Sequence, residues 1–161
     1  MSAPAALTTL VAALTARRQW LAVAESCTGG LIAKICTDLP GSSAWFERGL
    51  VTYSNRAKQE LLGVPAELIA GHGAVSEAVA RAMAEGLLQR APVDWTLAVT
   101  GIAGPDGGSA DKPVGTVWLA CAGREGGVLA RPYRFGGDRE AVREQSAAAA
   151  FELLRERVSM G

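Results

Sequence analysis

The chain has 161 residues, 49% of them hydrophobic, which suits a single domain that buries an ordinary core without disulfides. Its 16 basic and 16 acidic residues cancel and are scattered, so there is no electrostatic footprint for nucleic acid. The apolar stretch of the opening segment is preceded by no basic residue and falls far short of a bilayer span, so a cytoplasmic protein with neither leader nor membrane anchor is expected.

In chain order, Leu7, Leu10, Val11 and Leu14 recur at three- and four-residue steps and predict a helix over 4–17. The run 20–26, "WLAVAES", has strand length and leads directly into Cys27, Thr28, Gly29 and Gly30. Helices are predicted over 29–39, ended by Pro40 and Gly41, and over 54–62, closed by Gly63, with a strand at 49–54 between them. His72 lies between two glycines in a loop or capping position. Ser76 reads as the N-cap of a helix over 77–90 whose apolar face runs through Val79, Met83 and Leu87. Strands are predicted at 95–101, 115–123 and 130–136, and a last helix at 138–157 with Ala147, Phe151, Leu154 and Val158 on one face. Helices and strands interleave, and the strands beginning at Trp20 and Trp95 are apolar on both faces. This pattern predicts one α/β domain over 1–161, a three-layer α/β/α sandwich around a largely parallel mixed sheet, with an antiparallel hairpin at one edge. The segment 101–115, "GIAGPDGGSADKPVG", is the one long loop, and such loops are more often functional than idle.

Ligands of open α/β sheets gather beyond the carboxyl ends of the strands, and three exits here share a chemistry. The first carries Glu25 to Gly30, the second Thr52, Tyr53, Ser54 and Asn55, the third Thr100 to Gly104; all are rich in hydroxyls or glycines. A helix starting near Gly29 is expected to aim free N–H groups at a phosphate or an oxyanion held by its first turn. The "ESCTGG" segment is nevertheless neither a P-loop nor a dinucleotide fingerprint. His72 is the only histidine, so a zinc site built on two or three imidazoles is excluded, and a Ser-His-Asp triad has no other histidine to use. The three cysteines are odd in number and show no C-x-x-C spacing, which fits reduced thiols. A serine without histidine needs another base, and "GSSAWFERGLVTYSNRAK" offers Ser42, Ser43, Tyr53 and Lys58. A desolvated Lys58 serves as that base with Tyr53 steadying the proton; on a surface helix it is an ordinary solvated cation. Cys27 is a rival nucleophile, because a thiol near a helix N-terminus has a lowered pKa.

The strings "AESCTGG", "GSSAWFERGLVTYSN", "HGAVSE", "TGIAGPDGGS" and "KPVGTVW", followed by the G-D-R that ends at Arg139, resemble the CinA C-terminal domain family in its stand-alone, nicotinamide mononucleotide-deamidating form. The resemblance runs from about Val23 to Phe151. It implies hydrolysis of the carboxamide of nicotinamide mononucleotide to nicotinic acid mononucleotide and ammonia, with no metal or other cofactor, in pyridine nucleotide recycling. By motif it assigns catalysis to Ser43, Tyr53 and Lys58, and substrate holding to Ser26, Thr28, Gly29, Thr100, Gly101 and Arg139. In that assignment Thr28 caps the following helix, Cys27 is a buried filler, and the roles of Ser26 and Ser43 are exchangeable. The only partner implied is the small-molecule substrate, with self-association into a dimer or larger homo-oligomer left open. The competing reading is a non-catalytic module that binds a nucleotide.

Overall fold

The computed structural model describes residues 5–160 of the chain. In order, the elements are α1 (Ala5–Arg17), β1 (Leu21–Glu25), α2 (Leu31–Thr37), a 3₁₀ turn (Ser42–Ala44), β2 (Phe46–Val51), α3 (Asn55–Leu62), α4 (Ala66–His72), α5 (Glu77–Arg90), β3 (Trp95–Gly101), β4 (Thr116–Gly123), β5 (Gly127–Arg134) and α6 (Arg139–Met160). The strands form one sheet in the order β2-β1-β3-β4-β5. β1 pairs in parallel with β2 and β3, whereas β4 is antiparallel to both β3 and β5. The sheet is therefore mixed, with the expected hairpin at one edge.

Strand alternation sorts the core into two layers. Leu21 and Val23 of β1, Leu97 and Val99 of β3, and Leu119 and Cys121 of β4 face the cluster that α1, α2 and α6 complete. Ala22, Ala24, Ala98, Ala120 and Ala122 face the cluster built on α5 with Leu62 of α3. The second face is thus paved with small side chains, which lets α5 lie close to the sheet, and Thr96 Oγ1 donates a 2.8 Å bond to the carbonyl of Ala84. α3 is pressed equally closely onto α5: a Cβ placed on Gly86 lies 1.9 Å from the Leu62 carbonyl oxygen. Ser54 caps the start of α3 by accepting from Ala57 N, and Gly63 ends it in the left-handed region.

Several boundaries differ from the sequence expectation for identifiable reasons. The predicted start of the first helix at residue 4 lies outside the described residues. β2 begins at Phe46 rather than 49, because the ladder with β1 opens at Leu21 opposite Phe46 and the chain leaves the sheet after Val51. α2 starts at Leu31, since Gly29 and Gly30 take φ of +57° and +104°, which no helix allows. α4 was not foreseen: Pro65 launches it, and the glycines around His72 disguise a helix of only seven residues. The Ser76 cap of α5 forms as expected, accepting from Val79 N.

Gly86→Ala tests the close seating of α3. The added methyl gains helix propensity but forces two elements apart, and unfolding by denaturant is expected to show a loss of about 2–3 kcal/mol. A neutral or stabilising change contradicts this packing.

Candidate active site

One step past the last paired row, Val51–Glu25–Val99, alternation turns Thr52, Ser26 and Thr100 to the α5 face of the sheet. Three hydroxyls thus stand side by side at the carboxyl edge of the parallel strands. Ser26 is anchored there by its N–H, which donates to the Val99 carbonyl at 3.0 Å, and Thr52 N donates to the Glu25 carbonyl at 2.8 Å. Thr100 Oγ1 donates to the Ala74 carbonyl at 2.9 Å, tying β3 to the segment before α5.

Lys58 meets this row from above. It lies one helical turn before Leu62 on the inward face of α3, and only 1% of its surface is exposed. Its Nζ lies 3.0 Å from Ser26 Oγ, 3.0 Å from the Thr52 carbonyl oxygen and 3.2 Å from the Tyr53 carbonyl oxygen. All three neighbours are neutral, and among the described residues no ion pair involves Lys58. Burial therefore pushes the ammonium below the ordinary lysine range, the neighbouring Cys27 opposing in part. The solvated-cation reading of Lys58 is replaced by a buried amine. A neutral amine has two N–H bonds and one lone pair; the two carbonyls take the N–H bonds, which leaves the lone pair for the Ser26 hydroxyl.

These groups line a cleft of about 270 Å³ to which all three strand exits contribute. Its far wall is the loop from Gly101 to Gly107, and Arg139 closes one side. Arg139 stands at the start of α6, in the layer opposite to α3, and reaches over the end of the sheet. It donates to the Gly104 carbonyl at 2.8 Å and to the Tyr53 hydroxyl at 3.0 Å. Tyr53 is 58% exposed, and its hydroxyl is held by Arg139; the part of Tyr53 that meets Lys58 is its carbonyl. Gly101 is required by packing, because a Cβ there lies 2.7 Å from Val117 and 3.0 Å from Cys27 Sγ.

The cleft thus gathers Ser26, Tyr53, Lys58, Thr100, Gly101 and Arg139, and leaves out Ser43, Thr28 and Gly29. Ser43 lies in the exposed 3₁₀ turn before β2, at the end of the sheet where the parallel strands begin. The six residues of β2 separate it from the Lys58 end by roughly 20 Å, so within one chain it is out of reach. Thr28 is wholly buried, its hydroxyl has no partner among the described residues, and it caps nothing. The start of α2 is instead closed by Glu25, whose carboxylate accepts from Ile32 N at 2.9 Å and Ala33 N at 3.0 Å. That overturns the expectation of an open anion site after Gly29, which packs near the Arg143 guanidinium instead. Cys27 is buried, and desolvation raises its thiol to about 11, the opposite of an activated nucleophile. His72 is exposed at the end of α4, where its carbonyl accepts from Lys112 Nζ.

The sequence analysis placed Glu25 and Asn55 at the strand exits and Asp106 in the long loop, but gave none of them a role. A charged residue closing an apolar strand, followed by a helix whose Gly30 N-cap has no side chain to offer, was the available signal for Glu25. Asn55 and Asp106 line the cleft from the first residue of α3 and from the long loop. A larger hollow of about 750 Å³ lies near Trp95, toward the other end of the sheet, but its arginines serve the fold: Arg124 donates to Leu88 and Ala91, and Arg157 to Cys121, Gly126 and Gly127.

A profile of the CinA C-terminal domain matches residues 5–158. The nicotinamide-nucleotide amidohydrolase PncC of Enterobacter agglomerans is 59% identical over 146 residues, 90% of this chain and 89% of that protein. The protein of the same name from Escherichia coli is 56% identical over 142 residues, 88% and 86% of the two chains. The crystal structure of a CinA superfamily protein from Klebsiella pneumoniae superposes with a TM-score of 0.92 at 40% identity, covering 97% of each chain.

The lowered pKa of Lys58 has a thermodynamic signature. Between its native value and the ordinary lysine value the unfolded chain binds the extra proton, so stability contributed at this site rises with pH across that window. Below the window both states are protonated, and the buried ammonium is a full penalty. Measured against Lys58→Met, wild-type stability is expected to climb as pH rises through the window; a difference that stays flat or falls contradicts a buried, proton-releasing amine.

Proposed function

Because the chain belongs to the CinA C-terminal domain family, we propose that it is a nicotinamide-nucleotide amidohydrolase that converts nicotinamide mononucleotide and water into nicotinic acid mononucleotide and ammonia. The observation that carries the mechanism is the 3.0 Å approach of Lys58 Nζ to Ser26 Oγ, with no ion pair to Lys58 among the described residues. Ser26, not Ser43, is the nucleophile in this proposal.

The steps follow from the geometry. With the ammonium form, Ser26 Oγ has the Tyr53 carbonyl at 3.4 Å as its acceptor; with the neutral amine, its proton is directed to Lys58. The substrate's pyridinium is a fixed cation, and its arrival further disfavours the ammonium, so binding itself favours the basic form. Ser26 Oγ attacks the carboxamide carbon while its proton passes to Lys58 Nζ. The tetrahedral intermediate collapses as Lys58 returns that proton to the departing nitrogen, ammonia leaves, and an ester to Ser26 remains. Water, deprotonated by Lys58, attacks the ester; the C–O bond breaks, Ser26 recovers its proton, and the nicotinate carboxylate is released. Thr100 and Gly101 hold the opposite wall. Tyr53, with its hydroxyl on Arg139, borders the mouth and touches Lys58 only through its backbone.

Arg139 is assigned to the substrate phosphate. Two of its donors fix the guanidinium plane against Gly104 and Tyr53, and the remaining N–H groups are available for a charge-assisted contact. No metal, nucleic acid or membrane enters the proposal. No helix among the described residues is long and apolar enough to cross a membrane, and three free, buried thiols fit the reducing cytoplasm in which we place the protein.

Ammonia release from nicotinamide mononucleotide tests the reading. Ser26→Ala is expected to lower turnover by roughly 10⁴-fold or more with substrate still bound, while Ser43→Ala keeps near-normal turnover. The reverse order restores Ser43, and no turnover by the wild type at any pH favours a binding module.

Arg139→Ala is expected to weaken nicotinamide mononucleotide by about 2 kcal/mol, roughly thirtyfold, in KM and binding assays. Nicotinamide riboside, which lacks the phosphate, should scarcely change. Equal losses on both substrates, with the fold intact by circular dichroism, place the phosphate elsewhere.

A further inference from the structure

We propose that Glu25 is a positioning residue for the nucleophile: its buried carboxylate sets the turn that carries Ser26 by clamping it to the start of α2. The inference rests on the reading of Ser26 as the attacking group. Only 1% of Glu25 is exposed, and both its oxygens are engaged by consecutive N–H groups of α2, from Ile32 and Ala33. A polar group at such burial needs hydrogen-bond partners, and both carboxylate oxygens have one here.

The clamp matters because of what lies between its two ends. From Glu25 to Leu31 the chain crosses Gly29 and Gly30, both at positive φ, and Gly30 as N-cap has no side chain to close the helix. The two glycines leave that stretch dependent on its contacts: the burial of Cys27 and Thr28, Ser26 N on the Val99 carbonyl, Gly29 N on the Ser26 carbonyl, the Thr28 carbonyl accepting from Leu31 N and Arg143, and Glu25 joined to α2. Of these, Glu25 is the one charged side chain immediately next to Ser26, and strand alternation points the two to opposite faces of the sheet. The Glu25 backbone is held by the strands on both sides, so what its carboxylate adds is the tie between strand and helix, and loosening that tie lets the turn shift and Ser26 Oγ move relative to Lys58 Nζ. Reaction geometry of this kind is lost with shifts of about 1 Å.

Glu25→Gln keeps the shape but removes the charge and turns one oxygen into an N–H₂ that faces a helix N–H. It is expected to lower kcat about 10- to 100-fold with KM within about twofold, and to leave the pH dependence of kcat as in the wild type because Lys58 is untouched. A fluorophosphonate that labels Ser26, followed by intact mass, reads the serine directly, with Ser26→Ala as the blank; labelling is expected to slow in parallel with kcat. Leu14→Val in α1, remote from the turn, provides a variant of lowered thermal midpoint, and it is expected to label at the wild-type rate. Should Glu25→Gln fail to fold, Glu25→Asp, which keeps the charge but withdraws it by one methylene, is expected to show the same kcat and labelling loss. Normal labelling and kcat per folded molecule in the Glu25 variants, or a loss that Leu14→Val matches at equal midpoint, overturns the proposal. If the wild type releases no ammonia yet Ser26 labels in a Glu25-dependent way, the substrate reading fails and the positioning role stands.

Discussion

A lysine amine buried without an ion-pair partner among the described residues is the constraint around which this domain is organised. An ammonium in that position is costly, and the surroundings relieve the cost by favouring the neutral form rather than by supplying an anion. The two carbonyls that take the N–H bonds belong to Thr52 and Tyr53, consecutive residues at the exit of β2, and they fix where the lone pair points. For this to work α3 has to be seated within a fraction of an ångström. Its Ser54 cap, its Gly63 stop and the contact between the Leu62 carbonyl and Gly86 of α5 provide that seating. The alanine-paved face of the sheet does the same for α5.

The same logic explains how two opposite charges are kept apart over a short stretch of chain. Glu25 is adjacent to Ser26, yet alternation sends it to the α2 face, where the N-terminus of a helix absorbs its charge. Lys58 sits on the α3 face and is not paired with it. A direct ion pair would hold the lysine in its protonated form and remove the lone pair that the proposed mechanism needs. The sheet therefore acts as a partition, with the acid on one side and the amine on the other. Arg139 comes from the Glu25 side but crosses above the sheet edge, which is how both helical layers contribute to one cleft.

Much of this was legible in the amino-acid string. Apolar periodicity located α1, α5 and α6, and the strands at Trp20 and Trp95, because each buries a clear face. The convergence of three hydroxyl- and glycine-rich strand exits located the cleft, because a parallel sheet necessarily brings its strand ends together. What the string left open or misjudged depended on how the chain is folded. It left the roles of Ser26 and Ser43 exchangeable, and within one chain the direction of β2 brings only Ser26 to Lys58. The helix beginning after Gly30 looked open to an anion until the Glu25 carboxylate, seven residues before Ile32, was found closing it. The Tyr53 hydroxyl was expected at Lys58, but a residue at a turn presents its carbonyl and its side chain in different directions.

The central claim is that burial lowers the pKa of the Lys58 ammonium and that its neutral form turns the lone pair to Ser26. Its most direct test is an NMR titration of the Lys58 side chain in the intact protein, assigned with Lys58→Arg, which removes the signal. The account predicts a pKa displaced below the ordinary lysine range, moving lower still when nicotinamide mononucleotide is bound. Titration at or above the ordinary lysine value, in free and bound protein alike, would contradict it.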